Sequence, residues 1–292
     1  MRVDVIGLGR MGLPISARLL AAGHELVVHD VSPDAVARAV AAGARAAPGP
    51  EGHPPAEVTI TSLPTPAAVE QVLLDDGGVI ERATEGVIVI DTSTSSPALA
   101  RRIAEIGERK GIAVLDAPVS GGPGGARAGT LAIMVGGDRG AFARASGVLE
   151  AFGSVIRHMG PAGAGQATKL TNNLLAATHM AVLGEAVAFA RREGLDPAAV
   201  YEVVSSGTGD SRVLRNRYPV VGVLEHAPAS NDWAPLFPVD LLIKDVGLAV
   251  EAAAEHGLEL PLTTLALERY EAAREAGFGQ LDYSAVARLF GE

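Results

Sequence analysis

Cysteine is absent from the chain. That excludes disulfides, thiol nucleophiles and thiolate metal sites. The seven histidines offer no replacement, since none pairs at HxH or HxxxH spacing, so no metal is expected. Aromatic residues make up only 4% of the chain, against 35 glycines, which points to tight turns and backbone-to-ligand approach rather than an aromatic groove. No basic run interrupts a net charge of -10, which would repel phosphate backbones, so nucleic acid is excluded as a partner. After Met1 the apolar run at 3–6, broken by Asp4, is shorter than a signal-peptide core, and a cytoplasmic protein is expected.

Lysine is scarce too. Lys110, Lys169 and Lys244 are the only three among 24 basic residues, so arginine serves nearly everywhere a plain surface cation is needed. Arginine keeps its proton in proteins, whereas burial or a neighbouring cation can tune a lysine to release one. Lys110, in a polar helical stretch, fits a surface role. The other two are candidates for chemistry.

What is present has a two-part organisation, expected at 1–162 and 163–292. The first part alternates strand-like runs (3–8, 25–29, 58–62, 87–90, 113–115, 131–135) with helical patterns (11–22, 33–42, 66–74, 97–110). This rhythm predicts a parallel, doubly wound α/β sheet with ligands at the carboxyl ends of its strands. Ser32 followed by Pro33 marks a helix start. From 166 to 192 a single Ala- and Leu-rich helix is predicted after the glycine-rich 160–165. Lys169, Asn172, Asn173, His179 and Glu185 interrupt it, so no membrane span is expected. The rest is helical (197–206, 241–256, 262–276, 283–290), with Gly257 and Gly277 as C-terminal caps.

Gly7-Leu8-Gly9-Arg10-Met11-Gly12 follows a predicted strand and opens a predicted helix. Gly7 suits the tight turn, Gly9 the approach of a pyrophosphate, and Gly12 close packing of the helix, whose free N–H groups face the phosphates. Asp30 ends the next strand. A carboxylate there accepts bonds from the ribose hydroxyls of NAD and repels the 2′-phosphate of NADP; the alternative is a turn-forming aspartate ahead of a helix.

Three further segments narrow the reading. Asp116-Ala117-Pro118-Val119-Ser120-Gly121-Gly122, the run from Gly163 through Lys169 to Asn173, and Phe237-Pro238-Val239-Asp240 continuing to Lys244-Asp245 resemble, in order and spacing, the signatures of the β-hydroxyacid dehydrogenases. These are 6-phosphogluconate dehydrogenase-like enzymes that include 3-hydroxyisobutyrate dehydrogenase. The resemblance covers essentially the whole chain. It implies a Rossmann-type sheet, a long interdomain helix, an all-α C-terminal domain that helps form a homodimer or homotetramer, and an active-site cleft between domains. It further implies that Leu63, Pro64 and Thr94 line the cofactor, with Lys244 and Phe237 near its nicotinamide end and Asp245 supporting. Ser120, Gly121 and Gly122 would hold a substrate carboxylate, Asn173 would touch the substrate, and Lys169 would be catalytic.

The physics of these residues agrees. A Ser-Gly-Gly turn exposes successive N–H groups and a hydroxyl, an uncharged nest for a carboxylate. Lys169 and Asn173 stand four residues apart and share a helix face. The expected activity is NAD-dependent oxidation of a small β-hydroxy acid, with Lys169 taking the hydroxyl proton. An imine reductase shares the fold but would lack the lysine, and a silent binding module would have lost it. The sequence also departs from the resemblance: Arg18 and Ala68 stand where asparagines are usual, and Asp210-Ser211-Arg212 where a bulky aromatic is expected. Arg212 is a candidate for a second anionic group or a surface residue, and the particular substrate stays open.

Overall fold

The computed structural model describes residues 1–47 and 56–291. The chain divides into two compact units, Met1–Lys169 and Leu170–Glu292.

The first unit runs β1 (Arg2–Ile6), α1 (Gly12–Ala21), β2 (Glu25–His29), α2 (Pro33–Ala41), β3 (Arg45–Ala46), β4 (Val58–Thr61), α3 (Pro66–Leu74), α4 (Val79–Arg82) and β5 (Ile88–Asp91). It continues with α5 (Pro97–Glu108), β6 (Ala113–Asp116), β7 (Val119–Ser120), α6 (Gly122–Ala128), β8 (Leu131–Gly136), α7 (Arg139–Glu150) and β9 (Gly153–Gly160). The strands form one sheet in the order β3-β2-β1-β4-β5-β6-β8-β7, with β9 on β8. The strand order reverses at β1, with β2 and β3 added to one side and β4, β5 and β6 to the other while all run parallel, the switch point at which such sheets bind ligands.

Hydrophobic alternation sets the layers. Along β5, Ile88 and Ile90 join Val3, Val5, Ile60, Ile15 and Leu19 on one face, while Val89 packs with Val69, Leu73 and Ile103 on the other. Three helices start alike: Ser32, Thr65 and Ser96 each accept a backbone N–H with their hydroxyl, and each is followed by a proline with its fixed φ.

The sheet is not wholly parallel as expected, because β8 pairs antiparallel with both β6 and β7. After β7 the chain turns through Gly121 (φ 135°) and Gly122 (φ 63°), values that glycine adopts cheaply, into the short α6 and then runs back. β3 and β9 escaped the strand pattern for a related reason. β3 is two exposed residues, and in β9 the half-buried side carries Ile156, His158 and Gly160, so no apolar alternation marks it in the sequence.

The second unit is helical. α8 (Ala164–Arg192) begins in the first unit and continues into it, followed by α9 (Pro197–Ser206), α10 (Arg212–Arg217), α11 (Val239–Ala254) and α12 (Pro261–Ala273). A π-helical turn at Arg274–Phe278 holds Gly277 at φ 88°, and the expected final helix, Tyr283–Phe290, is a 3₁₀ helix. Val239, Leu242 and Val246, at helical spacing on α11, pack with Ala177 and Met180 of α8, Tyr270 of α12 and Tyr283. By length and composition α8 passes for a membrane span, and 44% of its apolar window is buried in the protein. All four tyrosines (Tyr201, Tyr218, Tyr270, Tyr283) and the single tryptophan, Trp233, belong to this unit.

Candidate active site

In the first unit the candidate cofactor residues gather at the carboxyl ends of β1, β2, β4 and β5. Gly7 has φ 92°, and a Cβ there would lie 2.3 Å from the Ser62 carbonyl oxygen. At Gly12 a Cβ would lie 1.8 Å from the Gly7 carbonyl oxygen, so α1 starts directly against the turn. Gly9 faces open space. The first turn of α1 carries no acidic residue and no side-chain cap, which leaves the positive end of its dipole for an anion. These features fit a dinucleotide.

Asp30 does more than its spacing suggested. Its Oδ2 accepts the Leu8 N–H at 2.6 Å and its Oδ1 the Ser32 N–H at 2.7 Å, so it ties the glycine turn to the start of α2. The turn-forming alternative is therefore also realised, beside any bond to ribose. Leu8 itself is core, at 1% exposure, which leaves its backbone rather than its side chain to shape the turn. Arg10 and Pro64 are exposed, and Met11 and Leu63 half-buried.

The loop after β5, which carries Thr94, is held from both sides. Thr61 Oγ1 donates to Asp91 Oδ1 (2.8 Å), the Leu63 N–H donates to Ser93 Oγ (2.8 Å), and the Ser95 N–H donates to Gln166 Oε1 (3.0 Å). Gln166 Nε2 returns a bond to the Ser93 carbonyl (2.9 Å). Neither Gln166 nor Asp116 was singled out from sequence for a role. Asp116 at the end of β6 accepts the N–H groups of Gly163 and Gln166, both at 2.8 Å. Burial pushes its carboxyl up to about 6, against the opposing pull of those N–H bonds and with help from Asp91 nearby. Lys169, 9% exposed, stands on α8 three residues after Gln166.

Ser120 ends β7, paired with Ala132, and Gly121 and Gly122 follow it into α6. A Cβ on Gly122 would meet nothing within 4 Å, whereas one on Gly121 would press on Leu131 at 3.0 Å. Arg18 is engaged elsewhere: its Nε donates to the Ala151 carbonyl at 3.0 Å.

In the second unit, Asn173 is buried and fixed at both ends of its amide. Nδ2 donates to Asp245 Oδ2 at 2.6 Å, and Oδ1 accepts from Asn172 at 2.9 Å. A carboxylate only accepts, so the amide nitrogen must face Asp245. Lys244 Nζ lies 2.7 Å from Asp245 Oδ1. Sequence reasoning assigned Asp245 a supporting part, and the structure brings it to both Asn173 and Lys244. Phe237 is held by Asp282, whose Oδ2 accepts the N–H groups of Leu236 and Phe237, each at 3.0 Å. Asp282 Oδ1 accepts from Ser284 and from Arg217 Nε (3.2 Å), and the Arg217 guanidinium lies over the Tyr283 ring. Arg212 is exposed at the start of α10. Among the described residues no three His, Asp or Glu side chains gather as a metal site.

Residues 2–160 match the family described as the NAD binding domain of 6-phosphogluconate dehydrogenase. Residues 163–290 match the NAD-binding family of NADP-dependent 3-hydroxyisobutyrate dehydrogenase. The chain is 43% identical to a 3-hydroxyisobutyrate dehydrogenase of Pseudomonas aeruginosa, over 99% of this chain and 98% of that protein. It is 41% identical to an NAD-dependent L-serine dehydrogenase of the same organism, over 99% and 97%. The solved structure of Mycobacterium tuberculosis 3-hydroxyisobutyrate dehydrogenase with L-serine is 39% identical, covers 100% of this chain and 99% of that one, and superposes with a TM-score of 0.93.

Proposed function

This chain belongs to the β-hydroxyacid dehydrogenase family and is an NAD-dependent oxidoreductase of hydroxy acids, and on that premise we propose that Lys169 is its acid/base. The observation that carries the reading is a buried lysine one turn into a helix whose start is clamped to the sheet. NAD, when bound, supplies the nicotinamide that accepts the carbinol hydrogen as hydride. Lys169 takes the hydroxyl proton as that bond breaks, and returns it to the carbonyl oxygen in the reverse direction. Ser120, Gly121 and Gly122 hold the substrate carboxylate, and Asn173, oriented by Asp245, contacts the substrate. Lys244 and Phe237 serve the nicotinamide end of the cofactor.

Gly7, Gly9, Gly12 and the backbone of Leu8, Arg10 and Met11 take the pyrophosphate, Leu63, Pro64 and Thr94 line the cofactor, and Asp30 sets a preference for NAD over NADP. Residues 1–162 form the cofactor domain and 163–292 the substrate and oligomerisation domain, in keeping with the two matched families. The protein works in the cytoplasm as a homodimer or homotetramer. Leu175, Val182 and Phe189, seven residues apart on α8 and all exposed, supply an apolar stripe suited to a second copy. Sedimentation would return a monomer if that is mistaken.

The substrate class is a short acid with its hydroxyl β to the carboxylate, such as 3-hydroxyisobutyrate or serine, named in the relatives above. A kcat/KM survey over both enantiomers of such acids tests the function. A dominant peak names the substrate, while NAD binding with no turnover on any of them would overturn the reading.

A further inference from the structure

Six α-helices among the described residues begin with a capping side chain of their own: Ser32, Thr65, Ser96, Asp138, Asp196 and Ser211 each accept an N–H of the turn they open. α8 follows Gly163, which has no side chain to offer. Its cap comes instead from the sheet, 47 residues earlier in the chain: Asp116 Oδ1 accepts the Gly163 N–H and Oδ2 the Gln166 N–H. The fit is close. A Cβ on Gly136 would lie 2.5 Å from Asp116 Oδ1, and one on Gly165 would lie 2.5 Å from the Asp116 carbonyl oxygen and 2.3 Å from that of Met134. Gly163 itself has φ 89°. Gln166 then ties the same turn to Ser93 and Ser95, on the loop that carries Thr94. Lys169 stands three residues on, less than one turn along the helix.

We propose that Asp116 is a positioning residue for the dehydrogenase reaction: its carboxylate, supplied from β6, caps α8 and with Gln166 fixes where the first turn of that helix holds Lys169. The proposal rests on the reading of Lys169 as the acid/base. Two N–H donors need two acceptor oxygens, which the carboxylate provides and the acid does not, because its O–H would confront one of the donors. Burial raises this carboxyl to about 6, so the clamp loosens on mild acidification. The charged and titratable groups on the surrounding elements are Asp91 at the end of β5, Arg101 of α5 beside Gly163, Lys169 on α8, and His158 of β9, whose ring bonds the Gly137 carbonyl. Of these, Asp91 adds to the rise.

The test uses the whole protein labelled with 15N-glycine. The Gly163 amide should titrate with a midpoint near 6 in the wild type and equally in Lys169→Ala, and lose that titration in Asp116→Asn. In Asp116→Asn, kcat at about pH 8 should fall about 10-fold to 100-fold with the KM for NAD nearly unchanged, as expected for a displaced catalytic group. A Gly163 amide whose shift is the same in the wild type and in Asp116→Asn at about pH 8 overturns the clamp. So does a folded Asp116→Asn enzyme with wild-type kcat. If Lys169→Ala keeps its turnover while Gly163 still titrates, the clamp stands and the assignment of Lys169 falls.

Discussion

Each unit hangs a functional segment on one buried aspartate, and the two do it with different chemistry. Asp116 in the first unit holds the start of α8 through backbone N–H groups. Asp282 in the second unit holds the segment carrying Phe237 through backbone N–H groups, a serine hydroxyl and the guanidinium of Arg217. Burial raises the Asp116 carboxyl to about 6 against the opposing pull of its two N–H bonds, whereas Asp282 has a guanidinium among its partners. The first anchor holds a helix start through two N–H groups alone, and the second ties backbone, hydroxyl and guanidinium into one knot.

Removing what the first anchor supports should have the largest effect. Lys169→Ala should lower kcat by about 10²-fold to 10⁴-fold with NAD affinity kept, and Lys169→Arg should fail almost as badly because guanidinium keeps its proton. Steady-state kinetics decide it, and an active arginine enzyme would reduce Lys169 to an electrostatic role. Asp282→Ala comes next. It strands the Arg217 charge and three backbone N–H groups, a loss of about 3–5 kcal/mol measured by denaturant titration, and weakens NAD binding only through the Phe237 contact. Equal loss of NAD affinity would mean that the two anchors are not separable.

The pH dependence follows in size. Asp116 has a carboxyl near 6 in the folded protein and an ordinary value of 3.8 when unfolded, so between them the native state binds the extra proton. Its contribution to stability is full below about 4 and lost as pH rises through 6, about 3 kcal/mol in all. Asp116→Asn should flatten that slope in melts at matched pH. The smallest effect belongs to Asp30, which is half-buried. Asp30→Ala should raise the KM for NAD, relax the preference over NADP and cost about 1–3 kcal/mol for the N–H groups of Leu8 and Ser32. Saturating NAD should restore kcat. A collapse of kcat instead would mean that the carboxylate acts chiefly by holding the glycine turn.

How much was legible follows from the same contrast. The cofactor side is built from backbone, and glycine spacing announces backbone geometry: the steric needs of Gly7 and Gly12 appear as expected. Helix limits at 66–74 and 197–206 match because a capping residue followed by proline marks the start of each. Long-range side-chain links leave no local trace. Asp116 meets Gln166 across 50 residues and Arg217 meets Asp282 across 65, with no periodicity to connect them. β9 lacked the apolar alternation that betrays a strand, since His158 and Gly160 share its inner side with Ile156, and Leu8 inside the glycine motif turned out to be core. The Asn173 to Asp245 bond was half visible, since resemblance named both residues and gave Asp245 a supporting part.

The placement of the aromatic residues has an optical consequence. With Trp233 and all four tyrosines beyond residue 169, absorbance near 280 nm and intrinsic fluorescence arise wholly from the helical unit. Trp233 also sits at one end of the Asp282 network, its carbonyl accepting the Asp282 N–H at 2.9 Å and its ring 5.9 Å from the Arg288 guanidinium. An emission melt therefore reports the second unit alone. The nucleotide-binding unit is dark at those wavelengths, so its unfolding has to be followed by far-ultraviolet dichroism or by the light of bound NADH, and a gap between the two curves would count the cooperative units directly.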